Sequence, residues 1–175
     1  MAALGIGLSW IVGREFAEGT VTGLFALPVR RWQIALAKLL VYLGWVFAVS
    51  VALSGTLLLL GLALGYGAPG PEAWRSLARH VPLTVLVGLT ATPAAWAVTL
   101  GRGLLPGIAT TIGLLVVAQV SAFIGAGAWF PLVIPALWAI GPESVTIAQL
   151  ALVPTVPLAF GALTLLAWHR LQLDR

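Results

Sequence analysis

Charged side chains are scarce in this sequence, and cysteine is absent. Only 8% of the 175 residues are Asp, Glu, Lys or Arg, whereas 61% are hydrophobic. A soluble domain carries roughly one-quarter charged residues, so this composition excludes an ordinary water-soluble fold and indicates a protein embedded in a lipid bilayer. Without cysteine the chain can form no disulfide, no thiolate metal site and no cysteine nucleophile.

Histidine and acidic residues are also few, which argues against enzymatic and metal sites. The two histidines, His80 and His169, are far apart in sequence, and only five acidic residues are present. We therefore predict no catalytic residue and no metal site, because no Ser-His-Asp or paired-carboxylate arrangement can be proposed at one membrane depth. A P-loop needs Gly-Lys followed by Ser or Thr, and the only lysine, Lys38, follows Ala37. The chain by itself is thus predicted not to be an enzyme and to hold no cofactor.

Long apolar runs account for most of the chain. A membrane-spanning helix needs about 20 mainly apolar residues. Runs of this length cover residues 39–65, 81–100, 104–124 and 145–168. We therefore predict an all-α fold, a polytopic bundle of transmembrane helices that forms a single domain over residues 1–175.

Two further apolar runs are too short to cross a bilayer. Residues 1–12 have no basic residue before them, unlike a signal peptide, and we interpret them as the last part of a span whose beginning is missing. Residues 128–140 contain Pro131 and Pro135. This second run is predicted to be a re-entrant or interfacial segment before the last span.

The predicted spans contain hydroxyl and amide groups but no charged residue. Proton pumps and ion-coupled transporters place an ionisable side chain within the membrane. Transport by this chain would therefore have to be powered from outside it. Pro93, Pro154 and Pro157 lie inside spans and are expected to kink them.

Glycine spacing gives a weak indication of helix contacts. Gly61 with Gly65, and Gly103 with Gly107, have the four-residue spacing that lets helices approach closely. Such pairs arise often by chance in a chain with 20 glycines. We therefore treat them as weak evidence for a dimer interface.

Basic and aromatic residues predict the orientation and the span ends. If residues 14–38 lie in the cytoplasm, the cytoplasmic side holds most of the nine Lys and Arg, and the outer side holds Arg75 and Arg79. The cytoplasmic set is Arg14, Arg30, Arg31, Lys38, Arg102, Arg170 and Arg175. These short clusters predict an orientation and no nucleic-acid partner. Tryptophans near the predicted span ends, where an indole N–H can reach the wet interface, are Trp10, Trp32, Trp74, Trp129, Trp138 and Trp168.

The connection over residues 66–82 opens with turn-forming Gly and Pro and continues with an amphipathic pattern. Trp74, Leu77 and Val81 share one helical face, and Arg75 and Arg79 share another. The pattern predicts a short helix on the outer membrane surface. An ordinary solvated loop anchored by the Trp is the alternative.

Polar residues are concentrated in the stretch from Arg14 to Lys38. Glu15, Glu18 and Thr22 recur at helical spacing, and an apolar patch lies opposite them. We predict that residues 14–27 form an amphipathic helix along the inner membrane surface, which Pro28 ends. A solvated helix face with no further role would produce the same spacing.

This stretch also resembles the membrane permease subunits of type 2 ATP-binding-cassette exporters, including bacitracin and lantibiotic resistance permeases. Those proteins carry Arg-Glu-x-x-x-Gly-Thr, then Pro-x-x-Arg, then Lys seven positions on. The matching residues here, with Glu18 inside the first motif, are Arg14, Glu15, Gly19, Thr20, Pro28, Arg31 and Lys38. Relatives have six spans, so the resemblance implies that one complete span and part of the second are absent before residue 1. The chain is then either a fragment or a reduced permease.

The resemblance implies a function for each part of the stretch. Residues 14–27 would be the coupling helix that contacts a separate cytoplasmic ATPase, in which ATP and Mg²⁺ would bind. The expected ATPase-coupling residues are Arg14, Glu15, Phe16, Glu18, Gly19, Thr20, Leu24 and Phe25, and the expected membrane-surface anchors are Arg30, Arg31 and Lys38. A second permease subunit, forming a homodimer, would complete the exporter.

The sequence therefore predicts a permease subunit of an ATP-driven exporter in the bacterial inner membrane, with its C-terminus in the cytoplasm. The apolar spans do not identify a substrate. A non-transporting membrane scaffold or accessory subunit, which would only pack against other membrane proteins, is the alternative from another class.

Overall fold

The protein is α-helical throughout the residues that the computed structural model describes, which are 1–26, 28–124 and 129–171. The helices are α1 (Ala2–Ala17), α2 (Val21–Phe25), α3 (Arg31–Ala63), α4 (Pro71–Leu89), α5 (Pro93–Gly101), α6 (Leu104–Phe123), α7 (Ile134–Ile140), α8 (Ile147–Leu150) and α9 (Thr155–His169). The segments long and apolar enough to cross a membrane are Arg31–Ala63, Pro71–Gly101, Leu104–Phe123 and Ile147–His169. The predicted all-α transmembrane bundle with four spans is confirmed.

Helix α3 begins eight residues before the apolar run that predicted it, at Arg31 instead of Leu39. Arg30 is extended (φ −71°, ψ 137°) and caps the helix, and its backbone N–H donates to Gln33 Oε1 at 2.9 Å. Hydropathy detects only the apolar part of a helix, whereas the hydrogen-bonded backbone continues into the polar interface. Lys38 therefore lies inside a continuous helix and not at its start.

The predicted outer helix over residues 66–82 is also part of a longer element. Gly65 and Gly67 adopt positive φ (82° and 74°) in the turn after α3. Helix α4 then starts at Pro71, where the missing N–H costs nothing, and continues to Leu89 through Pro82. The helix is confirmed, but it is continuous with the next span instead of lying apart from it.

Two of the three prolines expected to kink spans interrupt them. Thr90–Thr92 form a turn before Pro93, which starts α5. The hydroxyls of Thr90 and Thr92 donate to the carbonyls of Val87 and Leu89 at 2.8 Å, so side chains satisfy acceptors near this break. At the other break, Pro154 lies between the turn after α8 and the start of α9.

Pro157 lies in the first turn of α9, where a helix tolerates proline without bending. The kink predicted at this residue is therefore absent. In the segment before the last span, residues 129–140 contain turns and the seven-residue α7, with Val133 and Ile134 buried. Ala128 lies outside the described residues, and a re-entrant or interfacial position for this segment stays a prediction.

The core forms where α1 meets α3, α5 and α9. Leu4, Leu8 and Val12 recur every fourth residue on one face of α1 and are at most 7% exposed. The side chains packed in the same cluster are Ala35, Tyr42, Val46, Ala95, Val98 and Trp168. Helix α1 is thus an integral part of the bundle, although it is too short to meet the length of a full span.

Small residues bring α1 and α6 into close contact. Gly5 and Gly13 on α1 face Thr111 and Leu104 on α6, and a Cβ atom added at Gly107 would lie 2.5 Å from Ser9 Oγ. Gly107 is buried within the chain. The small-residue spacing at Gly107 therefore serves packing inside this chain, which removes it as evidence for a dimer interface.

One end of the bundle carries most of the positive charge. Trp168 Nε1 on α9 donates to Thr99 Oγ1 on α5 at 3.0 Å, and an Arg31 guanidinium nitrogen at the start of α3 donates to the Leu171 carbonyl. These contacts place the C-terminal ends of α1, α5 and α9 beside the N-terminal ends of α3 and α6. We call this the basic end; its Lys and Arg residues are Arg14, Arg30, Arg31, Lys38, Arg102 and Arg170.

Arg75 and Arg79 lie at the opposite end. Helix α4 is antiparallel to α3, since Tyr42 Oη donates to the Gly88 carbonyl at 2.8 Å and Ser54 Oγ lies 2.9 Å from His80 Nδ1. The described basic residues therefore separate into the two groups that the charge pattern predicts, and Arg175 lies outside the described residues. Which end faces the cytoplasm stays a prediction.

The close approach of α1 and α6 can be tested at Gly107. We expect Gly107→Ala to destabilise the protein by about 1–3 kcal/mol, because the added methyl group overlaps Ser9 Oγ of α1 and also Val98 Cγ2 of α5. Gly113→Ala is the matched control, since it lies on the same helix with no atom within 4 Å of its Cβ position. Thermal unfolding in one detergent measures both, and equal midpoints would contradict the tight contact.

Candidate functional site

The predicted surface helix over residues 14–27 is divided in two. Helix α1 continues through Arg14–Ala17 and ends at Glu18, whose backbone N–H donates to the Arg14 carbonyl. Gly19 follows with φ +70°, a left-handed conformation that ends helices and that glycine adopts without steric cost. The five-residue helix α2 follows this break. Leu27, the last residue of the predicted helix, lies outside the described residues.

Glu15 and Lys38 form a nearly buried ion pair between α1 and α3. The Lys38 ammonium lies 2.5 Å from Glu15 Oε2, and the two side chains are 11% and 12% exposed. Lys38 also donates to the Ile11 carbonyl at 2.7 Å. The sequence placed Glu15 on an exposed face, whereas the structure nearly buries it against Lys38. The position of Lys38 at the membrane surface stays a prediction.

An aromatic contact extends this ion pair to the last helix. Phe16 meets the Trp168 ring edge to face, with ring centroids 5.6 Å apart, and the Lys38 ammonium is 5.9 Å from the Trp168 centroid. Trp168 is fully buried, and its N–H bonds to Thr99 instead of reaching the wet interface. Proximity to a span end suggested an interfacial indole, but only the packing of α5 and α9 shows that it is enclosed.

The remaining coupling residues lie outside this buried group. Arg14, Glu18, Gly19 and Thr20 are exposed, and Leu24 is half-buried on α2. The backbone of Phe25 belongs to α2, while its side chain lies outside the described residues. The sequence-predicted set therefore separates into residues that hold α1 in the bundle, Glu15 and Phe16, and residues available to another molecule.

The predicted anchors also differ from one another. Arg30 is exposed at the start of α3, as a surface anchor requires. Arg31 is half-buried, and its guanidinium donates to the carbonyl of Leu171, which follows α9. Arg31 therefore joins the first turn of α3 to the end of α9, and contact of either arginine with lipid stays a prediction.

The site joins an exposed helix break to buried contacts between helices. Among the described residues, no three His, Asp or Glu side chains are arranged to hold a metal ion. The exposed break from Glu18 to Thr20 connects directly to α1, and α1 is tied to α3 and α9 through the Lys38 and Trp168 contacts. A displacement applied at the break would therefore reach two membrane-spanning segments.

The ion pair can be tested by removing one partner at a time. We expect Lys38→Met to destabilise the protein by about 3 kcal/mol, because the nearly buried Glu15 carboxylate then keeps only the exposed Arg14, 3.4 Å away, as a counter-ion. Glu15→Gln combined with Lys38→Met should recover part of this loss. Arg14→Met is the control; Arg14 is 55% exposed and 3.4 Å from Glu15, so about 1 kcal/mol or less is expected. Denaturant titration in micelles measures these free energies.

The helix break can be tested with two glycines from the same segment. Gly19→Ala forces a side chain into the left-handed region, at about 1–2 kcal/mol, and should speed amide hydrogen exchange in the last turn of α1 by about tenfold. Gly23→Ala is the control, because Gly23 has no positive φ and its Cβ position is equally open. Unchanged exchange in Gly19→Ala would contradict the left-handed cap.

Comparison with known proteins identifies the family. The family model described as "ABC-2 family transporter protein" matches residues 1–119, from α1 through most of α6, including the stretch from Arg14 to Lys38. No curated protein and no solved structure matches the chain. Because the family model covers more than half of the chain, the protein belongs to the ABC-2 family of transporter proteins and is a multi-pass membrane permease component of an ABC transporter.

Proposed function

We propose that the protein is the membrane subunit of an ATP-driven exporter and that the exposed break at Glu18–Thr20, together with α2, is its docking surface for a cytoplasmic ATPase. The observation that carries the proposal is the position of this surface. It projects from the end of α1, directly beyond the buried Glu15–Lys38 pair. A partner bound there would act on the bundle core.

The docking surface combines charge with apolar area. Arg14 and Glu18 supply opposite charges one helical turn apart, Thr20 supplies a hydroxyl, and Leu24 supplies a half-buried apolar side chain. Val21, also on α2, is only 8% exposed. ATP and Mg²⁺ would bind in the partner, because this chain contains no P-loop.

Closure of the ATPase would move α1, and the buried contacts would carry that movement onward. Lys38 passes it to α3, and Phe16 passes it through Trp168 to α9. The breaks at Pro93 and Pro154 lie between the basic end and the opposite half of their segments, so they can act as hinges. Tilting of the spans would then open a path outward by alternating access.

The orientation follows from the basic end. Cytoplasmic loops carry an excess of Lys and Arg, so this end and the C-terminus would face the cytoplasm of a bacterial inner membrane. Pairing with a second permease subunit is expected from the resemblance to type 2 exporters. The substrate is left open, because the predicted spans carry no charged group that would select one.

The docking surface can be tested by copurification with the ATPase. Tagged wild type, Glu18→Arg and Glu72→Arg are each isolated in mild detergent, and the recovered ATPase is quantified. We expect Glu18→Arg to weaken the complex by about tenfold, which corresponds to about 1.4 kcal/mol of lost attraction and new repulsion. Glu72 is an exposed carboxylate at the opposite end, 90% accessible, so its reversal should leave recovery unchanged.

Each other result has a defined meaning. Equal recovery with Glu18→Arg would reject this surface as the docking site. Loss of the ATPase from both variants would indicate a general charge effect and would also reject it. Absence of an ATPase from every sample, wild type included, would reject the exporter proposal and favour the scaffold.

A further inference from the structure

A cavity at the basic end lies outside the proposed docking surface. It has a volume of about 510 Å³ and lies between α5 and α9. This volume falls within the range of sites that bind small organic molecules. Its lining includes Arg102, Arg170, Trp96, Leu100, Leu163 and Leu166.

The lining is polar at one end and apolar at the other. Arg170 follows α9, and Leu163 lies seven residues earlier, about 10 Å along the helix axis. On the α5 side, Arg102 lies in the turn to α6, and Leu100 lies in the last turn of α5. Leu100 and Leu166 are 58% and 53% exposed, so the apolar half is open to the surroundings of the bundle.

The short turn between α5 and α6 relates this polarity to the depth of the bilayer. Arg102 and Gly103 are the only residues between α5 and α6, and both helices belong to segments that can cross a membrane. A turn this short places Arg102 at headgroup level, and it places the leucines at the depth of the acyl chains.

The backbone of Arg102 supplies an independent observation. Its φ is +50°, and it is the one non-glycine residue with positive φ among the described residues. The positions on either side are Gly101 and Gly103, so the unfavourable conformation falls on the arginine. Strained residues of this kind cluster at ligand-binding sites, where the side chain justifies the conformational cost.

We propose that this cavity binds one anionic phospholipid from the surrounding leaflet. The lipid phosphate lies between the guanidinium groups of Arg102 and Arg170, and an acyl chain follows Leu100, Leu163 and Leu166. Guanidinium groups pair with phosphate through charge-assisted hydrogen bonds, and basic pockets between membrane helices suit anionic headgroups. A soluble anion would pair with the arginines but would leave the open leucine surface uncovered.

Helix capping is the competing explanation for both arginines. Arg102 and Arg170 are the C-cap residues of α5 and α9, where a cation offsets the negative end of the helix dipole. Capping requires neither a cavity nor a lipid, and it predicts no dependence on the headgroup charge of the bilayer. An experiment that varies this charge separates the two explanations.

Trp96, which lines the cavity, reports on bound lipid through fluorescence quenching. The full chain is placed in nanodiscs containing either brominated phosphatidylglycerol or brominated phosphatidylcholine. The quenching that disappears in Trp96→Phe is assigned to this site. Since each basic residue near a membrane surface favours anionic lipid, we expect the assigned quenching to show about a tenfold preference for phosphatidylglycerol.

Two double variants test the arginines. Arg102→Gly with Arg170→Gln should abolish the preference, and glycine at position 102 suits the positive φ, so the turn is preserved. Arg75→Gln with Arg79→Gln removes two basic side chains from the opposite end and should retain the preference. Thermal unfolding of each variant is measured in parallel.

Equal quenching of wild type by the two lipids would overturn the proposal, whether or not the variants fold. If the variant at Arg102 and Arg170 loses stability but keeps the lipid preference, the arginines act as helix caps. That result would also overturn the proposal. If millimolar glycerol 3-phosphate displaces brominated phosphatidylglycerol at a constant lipid concentration, the ligand is a soluble anion instead, and the proposal fails. Only a phosphatidylglycerol preference that needs both arginines and resists this competitor supports the lipid site.

Discussion

The ammonium group of Lys38 is largely removed from water, so oxygen atoms of the protein must replace the lost hydrogen bonds to water. The contacts that supply these oxygen atoms connect the helices at the basic end. The carboxylate comes from Glu15 and the carbonyl from Ile11, both on α1, while the Trp168 ring of α9 lies beside them. Three helices therefore depend on one charge. None of them can shift at this end without breaking a hydrogen bond or exposing an uncompensated charge to an apolar environment.

A second constraint acts along α1. Close approach to α6 requires the small residues Gly5, Ser9 and Gly107, because added methyl groups would overlap atoms across the contact. Association of helices in lipid depends on such packing, since apolar side chains gain little by leaving an apolar solvent. Helix α1 is thus fixed on one side by shape and on the other by charge. The segments that contain α5 and α9, in contrast, are each interrupted near a proline.

These features give the basic end two different surfaces. On one side, Glu18, Gly19 and Thr20 project from the end of α1, where a soluble partner can reach them. On another, Arg102 and Arg170 line a cavity whose apolar half is open to the surroundings of the bundle. Trp168 lies between the two surfaces, touching Phe16 on one side and Thr99 on the other. In the proposed exporter, a bound lipid and a docked ATPase would act on the same helix, α9.

The sequence by itself determined the membrane environment, the all-α class and the spans, because each follows from local composition. It also determined the grouping of basic residues and the interruptions at Pro93 and Pro154, which follow from charge and backbone chemistry. It also indicated residues 14–27 as the place to look for a partner, although as one helix without the break at Gly19. Tertiary structure decided which side chains of that segment are available. Lys38 binds the backbone carbonyl of Ile11 on another helix, and Phe16 packs against Trp168 on another helix. Periodicity within one segment does not detect such contacts. The cavity at Arg102 and Arg170 likewise exists only after α5 and α9, distant in the chain, have packed side by side.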